Sequence, residues 1–345
     1  MESYSKMNRS NSMAWLPLAP RGADDGRMHP PIRHLILGDG VIGRASAQAL
    51  RALGHEATLA SRTARDEAGH LQLDARDPAA LARALQGHSH LHLTLGLPYR
   101  ASVWERDWPR IMQGAIDAAL AHGARLLWFD NLYAYGPLPL AVPMREDHPL
   151  APPSRKGRVR EGLIGQLQRA GEQRGLRWLV ARSADFYGPR AHLSLLYASA
   201  LQRQLQGRTA FWLGDPDRRH SFTYTLDAAR ALALLALDEG AWQQSWHLPT
   251  ASPAPTARAL LAESARLLGL APRLHALPAA LVRLAGPLHP MLREVGEMLY
   301  QNQQDYVFCS DKFMDRYPDF RITPYTQGLA ATLASFAPGG DPALG

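Results

Sequence analysis

Short apolar runs alternate with longer amphipathic segments along most of the chain from residue 32 onward. Runs typical of strands occupy 32–38, 55–62, 90–96, 124–131, 176–183 and 244–249, and a weaker one precedes Asp74. Apolar residues recur every three or four positions, the spacing of a buried helix face, over 41–54, 77–87, 108–123, about 159–173 and 227–240. Strands that alternate with helices predict right-handed crossovers and a doubly wound parallel sheet, hence an α/β fold.

The alternation loosens after about residue 185, which divides the chain. We predict that 32–185 forms the sheet domain, with 220–249 returning to it, and that 186–219 and 250–345 form a smaller, mostly helical portion that binds substrate. Residues 1–31 are polar and rich in Ser, Pro and Gly. They contain no apolar run of about 7–15 residues, so we expect a disordered tail and no secretory signal.

Composition narrows the class of protein. The 345 residues carry a net charge of +7, but the arginines are scattered, whereas nucleic-acid binding needs a clustered basic face. No run of about 18 predominantly apolar residues occurs in the sequence, so no membrane span is expected. A single cysteine, Cys309, excludes an intramolecular disulfide and a cysteine-based zinc site. We therefore expect a cytoplasmic protein without nucleic-acid or membrane partners.

A glycine loop follows the first strand in the segment "LILGDGVIGRA". A G-x-G-x-x-G motif between a strand and a helix is typical of a Rossmann-type dinucleotide site. Its first glycine makes the turn, the second lets the backbone approach the pyrophosphate, and the third packs the helix on the strand. The free N–H groups of the helix N-terminus face the phosphates. The predicted cofactor-binding residues are Gly38, Asp39, Gly40, Val41, Ile42 and Gly43.

The end of the second strand indicates which dinucleotide binds. An acidic residue there would hold the ribose of NAD, but the sequence reads "ASRTAR", with Ser61, Arg62 and Arg65. A hydroxyl beside a guanidinium favours a 2′-phosphate, so we predict NADP, with NAD as the alternative. Asp74 is a candidate for the adenine edge, or an ordinary turn residue.

Several motifs occur in the same order along the chain as in a known family. These motifs are "GDGVIG", "LGLP" (95–98), "YGP" (135–137), "REDHPLAPPS" (145–154), "ARSADFYGP" (181–189) and "HSFTYTLDAARAL" (220–232). Over about residues 33–270 the chain resembles the extended short-chain dehydrogenase/reductases, the NAD(P)-dependent epimerase/dehydratase family. The resemblance implies an NAD(P)-dependent oxidoreductase acting on a carbonyl/alcohol substrate, and cofactor contacts from Leu95, Gly96 and Leu97. It also implies a homodimer through the helices at 108–123 and 159–173.

The catalytic positions of that family carry other residues in this chain. The family uses a Ser or Thr four residues before the first Tyr-Gly, and a Tyr-x-x-x-Lys on the next helix. Its tyrosine is a general acid/base and its lysine holds the nicotinamide ribose. The corresponding residues here are Asn131, Lys156 and Arg160, within and before "SRKGRVRE" (154–161). The chain is therefore an atypical member that lacks the phenol.

Three interpretations of this segment follow. In the first, the protein is catalytic, and Lys156, crowded by arginines, is the new acid/base. Arg160 then contacts the nicotinamide ribose, and Tyr133 is an alternative proton donor. In the second, the cluster binds an anionic substrate or orders the cofactor without proton transfer, and the protein is a catalytically silent NADP(H) sensor. In the third, "SRKGRVRE" is an exposed basic helix start in which Glu161 pairs with an arginine.

Further residues are candidates for the substrate. Asp185 could serve as a carboxylate base or a substrate anchor, and Trp212 and Arg218 lie in the predicted substrate portion. In nucleotide-sugar enzymes of this family, an arginine in this region often binds a diphosphate. The resemblance therefore allows a small, anionic, nucleotide-linked substrate. The alternating histidines of "HSHLH" (88–92) are expected at a surface or strand edge, and we predict no metal site.

Overall fold

A seven-stranded sheet in which every pairing is parallel forms the centre of the computed structural model, which describes residues 31–286 and 290–337. The predicted tail lies outside the described residues, apart from Pro31. The strands of this part of the chain are β1 (Arg33–Leu37), β2 (Glu56–Ser61), β3 (His70–Gln72), β4 (His90–Leu93), β5 (Arg125–Asn131), β6 (Trp178–Ser183), β7 (Asp185–Tyr187), β8 (Ala210–Leu213), β9 (Phe222–Tyr224), β10 (Gln244–His247) and β11 (Leu274–Leu277).

The main sheet has the strand order β10-β6-β5-β4-β1-β2-β3. The helices are α1 (Val41–Ala52), α2 (Pro78–Leu85), α3 (Ala101–Ala121), α4 (Arg155–Arg174), α5 (Gln202–Leu205), α6 (Thr225–Leu237), α7 (Ala257–Leu267), α8 (Ala279–Ala285), α9 (Pro290–Gly296), α10 (Asp311–Arg316) and α11 (Tyr325–Phe336). A π-helical turn, Tyr197–Leu201, precedes α5. The doubly wound α/β fold predicted from the pattern is confirmed. None of the described helices is long and apolar enough to cross a bilayer.

Helices cover both faces of the sheet. On one face α3 and α4 pack against each other over a core that contains Trp108, Trp128 and Leu163. On the opposite face α1 packs on α6, and α10 adds Phe313 beside β10. Burial on both faces explains why the central strands read as continuous apolar runs rather than as alternating ones.

Two helices begin earlier than the apolar spacing predicted. The helix expected at 108–123 starts at Ala101, whose N–H donates to the carboxylate of Glu294 (2.8 Å), and it continues through Pro109. The helix expected from about Val159 starts at Arg155, because the hydroxyl of Ser154 caps it by accepting from the N–H of Gly157 (3.0 Å). "SRKGRVRE" therefore forms the first turns of α4.

The remaining elements form a smaller portion. Two short parallel pairs, β7 with β9 and β8 with β11, were not predicted, because three or four residues are too few to show a period. Helix α11 packs against α7 over a separate core that includes Trp212 and Leu329. The boundaries predicted for the substrate-binding portion stay a prediction.

Three histidines on the adjacent strands β1 and β4 lie inside the main sheet rather than at its surface. His34 on β1 pairs in register with His90 on β4, and the side chains of His34, His90 and His92 are at most 3 % exposed. Nδ1 of His34 lies 2.9 Å from Nε2 of His92. Among the described residues no group of three or more His, Cys, Asp or Glu side chains could hold a metal ion. The histidines are buried because helices cover both faces of this sheet.

Candidate active site

The glycine loop between β1 and α1 packs against the loop that follows β4. Gly38 has a φ of +119°, and a Cβ there would lie 2.8 Å from the backbone nitrogen of Leu95. At Gly43 a Cβ would collide with the carbonyl oxygen of Gly38. Thr94 fastens the two loops, since its hydroxyl donates to the carbonyl oxygens of Leu37 (3.1 Å) and Gly38 (3.3 Å). The loop needs glycine at both positions to bring these backbones together.

Gly40 differs from these two glycines because a Cβ there would meet nothing within 4 Å. Helix α1 begins directly after it with Val41, without a side-chain cap and without an acidic residue in its first turn. The N–H groups of that turn, which includes Ile42, are thus available to an anion, and the open space at Gly40 leaves room for it. This cradle fits the pyrophosphate of a dinucleotide.

The topological switch point of the sheet lies between β1 and β4. Strands β2 and β3 extend the sheet on one side of β1, whereas β4, β5 and β6 extend it on the other. In open α/β sheets, ligands bind outside the carboxyl ends of the strands at such a switch point. Leu95, Gly96 and Leu97 lie at this point, and a Cβ at Gly96 would also meet nothing within 4 Å.

Charged side chains surround Asp39 beside the glycine loop. Its carboxylate pairs with Arg65, and Nη2 of Arg44 and Nε2 of His70 lie 3.8 and 3.7 Å away. Burial raises the pKa of Asp39, but the hydrogen bond and charge of Arg65 with the charge of Arg44 oppose it, and the net shift is downward. The negative charge of Asp39 is therefore compensated.

The residues predicted for the 2′-phosphate, Ser61 and Arg62, and for the adenine edge, Asp74, differ in how far other contacts occupy them. Arg62 is exposed and makes no ion pair with a described residue. Ser61 donates to the carbonyl oxygen of Thr63 (3.1 Å). Asp74 pairs with Arg76 through both carboxylate oxygens (3.0 and 2.6 Å), which lowers the pKa of Asp74 to about 2. Arg62 is thus the cation at this edge that remains available to a phosphate.

Lys156 stands where the family has its tyrosine, and it is 0 % exposed. Its Nζ donates to Oε2 of Glu294 (2.6 Å), to Oε1 of Glu297 (2.7 Å) and to the carbonyl oxygen of Glu294 (3.0 Å). The expected crowding by arginines is absent from its surroundings: Arg155 turns to Glu105, and Arg158 donates to a backbone carbonyl. Lys156 is accordingly a buried ammonium in a cluster of carboxylates, and this part of "SRKGRVRE" is not an exposed helix start.

Arg160 stands where the family has its lysine, and it is enclosed by aromatic rings. Its guanidinium carbon lies 4.4 Å from the ring centroids of Trp104 and Trp108 and 5.2 Å from that of Trp128. Its Nε is 3.4 Å from Oδ1 of the buried Asp130. Burial raises the pKa of Asp130, against the opposing charges of Arg160 and Arg182. Burial lowers the pKa of Arg160, and the cation–π contacts together with the charge of Asp130 offset part of the cost of burying its guanidinium.

Tyr133 and Tyr99 bring two phenol hydroxyls together at the carboxyl edge of the sheet. The oxygens lie 3.3 Å apart. Asn131 holds the backbone of Tyr133, because its Oδ1 accepts from the Tyr133 N–H (3.0 Å). The ring of Tyr133 stacks on Trp104 (6.2 Å, 16°), and Tyr99 meets the same ring edge-on (5.8 Å, 86°). The predicted residues Asn131, Lys156, Arg160 and Tyr133 therefore converge around Tyr99 and Trp104.

A second polar network lies next to this cluster. Nη1 of Arg182 donates to the hydroxyl of Tyr135 (2.7 Å), which lies 2.7 Å from Nε2 of His247. Nδ1 of His247 lies 2.8 Å from the carbonyl oxygen of Cys309, which can only accept. His247 is therefore protonated on Nδ1, and Tyr135 donates to Nε2. The tyrosine of "YGP" is fully occupied by these structural bonds.

The candidate substrate residues occupy different surroundings. Asp185 lies 3.0 Å from Nε2 of His220 and keeps 22 % of its side chain exposed. Trp212 is buried, with its ring 5.8 Å from that of His220, so it contributes to a core rather than to an open wall. Arg218 is exposed and pairs with Asp215 (2.9 Å). Burial raises the pKa of both Tyr99 and Tyr133, and the charge of Asp185 adds to this effect at both phenols.

Several residues of the site were not predicted. Tyr99 directly follows "LGLP", and Asp130 directly precedes Asn131, so neighbouring motifs could have indicated both. Glu294 and Glu297 have no such signal, because they lie 138 and 141 residues from Lys156 in the chain.

Comparison with known proteins assigns the family. The model of the NAD dependent epimerase/dehydratase family matches residues 34–245. The chain belongs to this family. Membership confirms the resemblance carried by the motifs, and it makes the protein an enzyme of the oxidoreductase type that uses a nicotinamide dinucleotide. No curated protein matches the chain.

Solved structures show the same fold at low sequence identity. One is the UDP-glucose 4-epimerase of Thermus thermophilus in complex with NAD (TM-score 0.70, 19 % identity, 88 % of this chain and 99 % of that chain). Another is the Thermotoga maritima UDP-glucose 4-epimerase with UDP-glucose (0.71, 17 %, 88 % and 98 %). A third is the dTDP-glucose 4,6-dehydratase DesIV of Streptomyces venezuelae with NAD (0.71, 20 %, 88 % and 97 %). These likenesses concern the fold alone.

Proposed function

We propose that the protein is an NADP-preferring oxidoreductase that interconverts a carbonyl and an alcohol on a small-molecule substrate. The observation that carries this proposal is the position of two phenol hydroxyls, Tyr99 and Tyr133, on the loops beside the open cradle at Gly40. The bound nicotinamide would supply or accept the hydride. The residues of the chain must then bind the cofactor and transfer one proton to or from the substrate oxygen.

Tyr133 is the proposed proton donor. A phenol is protonated near pH 7, and burial raises the pKa of Tyr133 further above the usual value. Asn131 and Trp104 fix its backbone and ring. Lys156 is less suited to this role, since its Nζ already donates to three oxygens and the residue is 0 % exposed. Arg160 is enclosed by tryptophans. Its proposed role is to place a positive charge next to Trp104, the ring that contacts Tyr133.

The preference for NADP rests on the end of β2. Ser61 and the exposed Arg62 stand where a carboxylate would repel a 2′-phosphate, and Arg65 neutralises Asp39 nearby. Gly38 to Gly43 would hold the pyrophosphate, Asp74 would face the adenine side, and Leu95 to Leu97 would flank the nicotinamide half.

Nucleotide-linked sugars are the first substrates to test, because the solved relatives include enzymes named for UDP-glucose and dTDP-glucose. Asp185 is the proposed substrate anchor, because its side chain stays 22 % exposed beside His220, whereas Trp212 is buried and Arg218 pairs with Asp215. By the family analogy we also propose a homodimer through α3 and α4, measurable by light scattering, and a cytoplasmic location.

The proposal is tested with the purified full chain. NADPH and NADH are titrated by fluorescence, and we expect NADPH to bind at least about 10-fold more tightly, the effect of one charge-assisted contact. NADP⁺ reduction is then followed with UDP-glucose and dTDP-glucose, and NADPH oxidation with a panel of aldehydes and ketones. Turnover that falls about 100-fold in Tyr133→Phe, but not in the control Tyr197→Phe, supports the proposal. Tight NADPH binding without turnover on any compound would instead favour a silent NADP(H) sensor.

A further inference from the structure

The family places its phenol and its amine on one helix, four residues apart, and this chain has kept neither at its usual place. The amine of Lys156 now stands at the phenol position. Two phenols approach it from other loops: Tyr99 follows β4 and Tyr133 follows β5. Nζ of Lys156 lies 4.5 Å from the ring centroid of Tyr99, and the Tyr99 hydroxyl lies 3.3 Å from that of Tyr133. A chain of amine, phenol and phenol thus runs along the sheet edge.

We propose that Tyr99 and Tyr133 act as one acid in place of the missing helix tyrosine, with Tyr133 as the donor and Tyr99 as its positioning and relay partner. This inference rests on the proposed function. It gives Tyr99 a role in proton relay that the sequence motifs do not indicate. Lys156 then holds the ring of Tyr99 and does not exchange protons.

The proton path follows from the hydrogen bond between the two phenols. As the carbonyl carbon of the substrate receives the hydride, the O–H bond of Tyr133 breaks and its proton goes to the carbonyl oxygen. The O–H bond of Tyr99 then breaks, and its proton goes to the oxygen of Tyr133. Tyr99 regains a proton from solvent once the product leaves. Each reduction therefore consumes one hydride and one solvent proton, and both phenols return to their starting state.

The surroundings of the two rings suit this sequence. Both contact Trp104, which fixes their relative orientation, and the indole N–H of Trp104 donates to the carbonyl oxygen of Pro98 (3.1 Å) in the same loop as Tyr99. As a whole residue Tyr99 is partly exposed, whereas Tyr133 is 7 % exposed. Tyr99 is therefore the residue of the pair with more solvent contact, and we assign it the relay end.

Kinetics of three variants test the pairing on whichever substrate the wild type turns over. We expect kcat to fall about 100-fold in Tyr133→Phe and about 10-fold in Tyr99→Phe, with KM and the NADPH dissociation constant unchanged. The double variant should be no slower than Tyr133→Phe, because without the donor the relay has nothing to act through. Independent losses that add in the double variant, or full activity of Tyr99→Phe, would overturn the inference while leaving the proposed function standing.

A second measurement needs no substrate. The full chain is labelled with 3-fluorotyrosine, and the ¹⁹F resonances of Tyr99, Tyr133 and the control Tyr197 are assigned with the three Phe variants. We expect NADP⁺ to shift the Tyr99 and Tyr133 resonances and to leave Tyr197 unchanged, and we expect Tyr99→Phe to shift the Tyr133 resonance. If NADP⁺ moves neither resonance, the pair is not at the cofactor and the inference fails. Shifts in both, in a protein that turns over no test compound, support the placement and count against the proposed function instead.

Discussion

Oε1 of Glu297 lies 2.7 Å from Nζ of Lys156, at the position where the family has its catalytic tyrosine. The other oxygen of Glu297 accepts from the first N–H of α4, at Arg155 (3.2 Å), and Glu294 likewise accepts from the first N–H of α3, at Ala101 (2.8 Å). The carboxylates of Glu294, in α9, and of Glu297, just after it, therefore bind one N–H at the start of each of two helices and one buried ammonium together. These contacts hold α9 against the N-terminal ends of α3 and α4.

Replacing Lys156 with Met should destabilise the protein by about 3 kcal/mol, the range for removing one partner of a buried ion pair. The expected loss is at the low end of that range, because Glu294 and Glu297 keep 12 % and 20 % of their side chains exposed. Urea denaturation measures the change, and hydrogen exchange should show faster opening of α9.

The matched control for this change is Arg158→Ala, on the exposed side of the same helix, which should change stability by less than about 0.5 kcal/mol. Adding Glu294→Gln and Glu297→Gln to Lys156→Met should restore part of the loss by removing the uncompensated charge. If Lys156→Met unfolds at the wild-type urea concentration, the ion pair does not fasten α9.

Local patterns predicted the sheet and the glycine loop, because their causes are local. A strand that ends in Gly38 and a helix that starts at Val41 can be read from neighbouring residues, and the structure has both. The same reasoning placed the alternating histidines of "HSHLH" (88–92), which include His90 and His92, at a surface or strand edge. It did not predict their burial, because that depends on helices that cover the sheet from elsewhere in the chain.

The partners of the catalytic positions could not be predicted in the same way. Lys156 was expected among arginines because those are its sequence neighbours, yet in a helix the neighbours Arg155 and Arg158 point to other sides. Its actual partners come from a segment near residue 294, which has no periodic link to α4. Composition and spacing indicate which residues are unusual, whereas the contacts that decide their chemistry are long-range.

Gly40→Ala should weaken NADPH binding by at least about 10-fold while leaving the fold intact. A Cβ at residue 40 meets no protein atom within 4 Å, so it would occupy only the space available to the pyrophosphate. The matched control is Gly162→Ala on α4, where a Cβ also meets nothing and should stabilise the helix slightly. Fluorescence titration and thermal melting measure the two effects. Unchanged affinity in Gly40→Ala would place the dinucleotide elsewhere.

Arg62→Ala should reduce the affinity for NADPH about 10-fold and leave that for NADH unchanged, since a 2′-phosphate distinguishes the two cofactors. Arg208→Ala, another exposed arginine, is the control, and it should alter neither affinity. Titration at two salt concentrations adds a check, because the NADPH preference of the wild type should shrink as salt screens the contact. An equal loss for both cofactors would show that Arg62 does not read the 2′-phosphate.

The buried histidines of β1 and β4 should make the protein sensitive to mild acid. Burial lowers the pKa of His34 and His90 to about 2 and that of His92 to about 3, so the folded state keeps them neutral, whereas the unfolded chain takes up protons near pH 6.5. Their contribution to stability is therefore fully present above pH 6.5 and is lost progressively as the pH falls toward 3. Carboxylates of the unfolded chain stay largely ionised down to about pH 5, so the histidines dominate between pH 6.5 and 5.

Urea denaturation at pH 7.5, 6.5, 5.8 and 5.2 measures this dependence. Each histidine adds a slope of up to about 1.4 kcal/mol per pH unit to the free energy of unfolding. His90→Leu should therefore flatten the slope by about that amount at the acid end, because it removes a proton that only the unfolded chain binds. The exposed His122→Leu is the control, and it should leave the slope close to that of the wild type. An identical slope in wild type and His90→Leu would mean that His90 takes up its proton without unfolding, and that water reaches the interior of the sheet between β1 and β4.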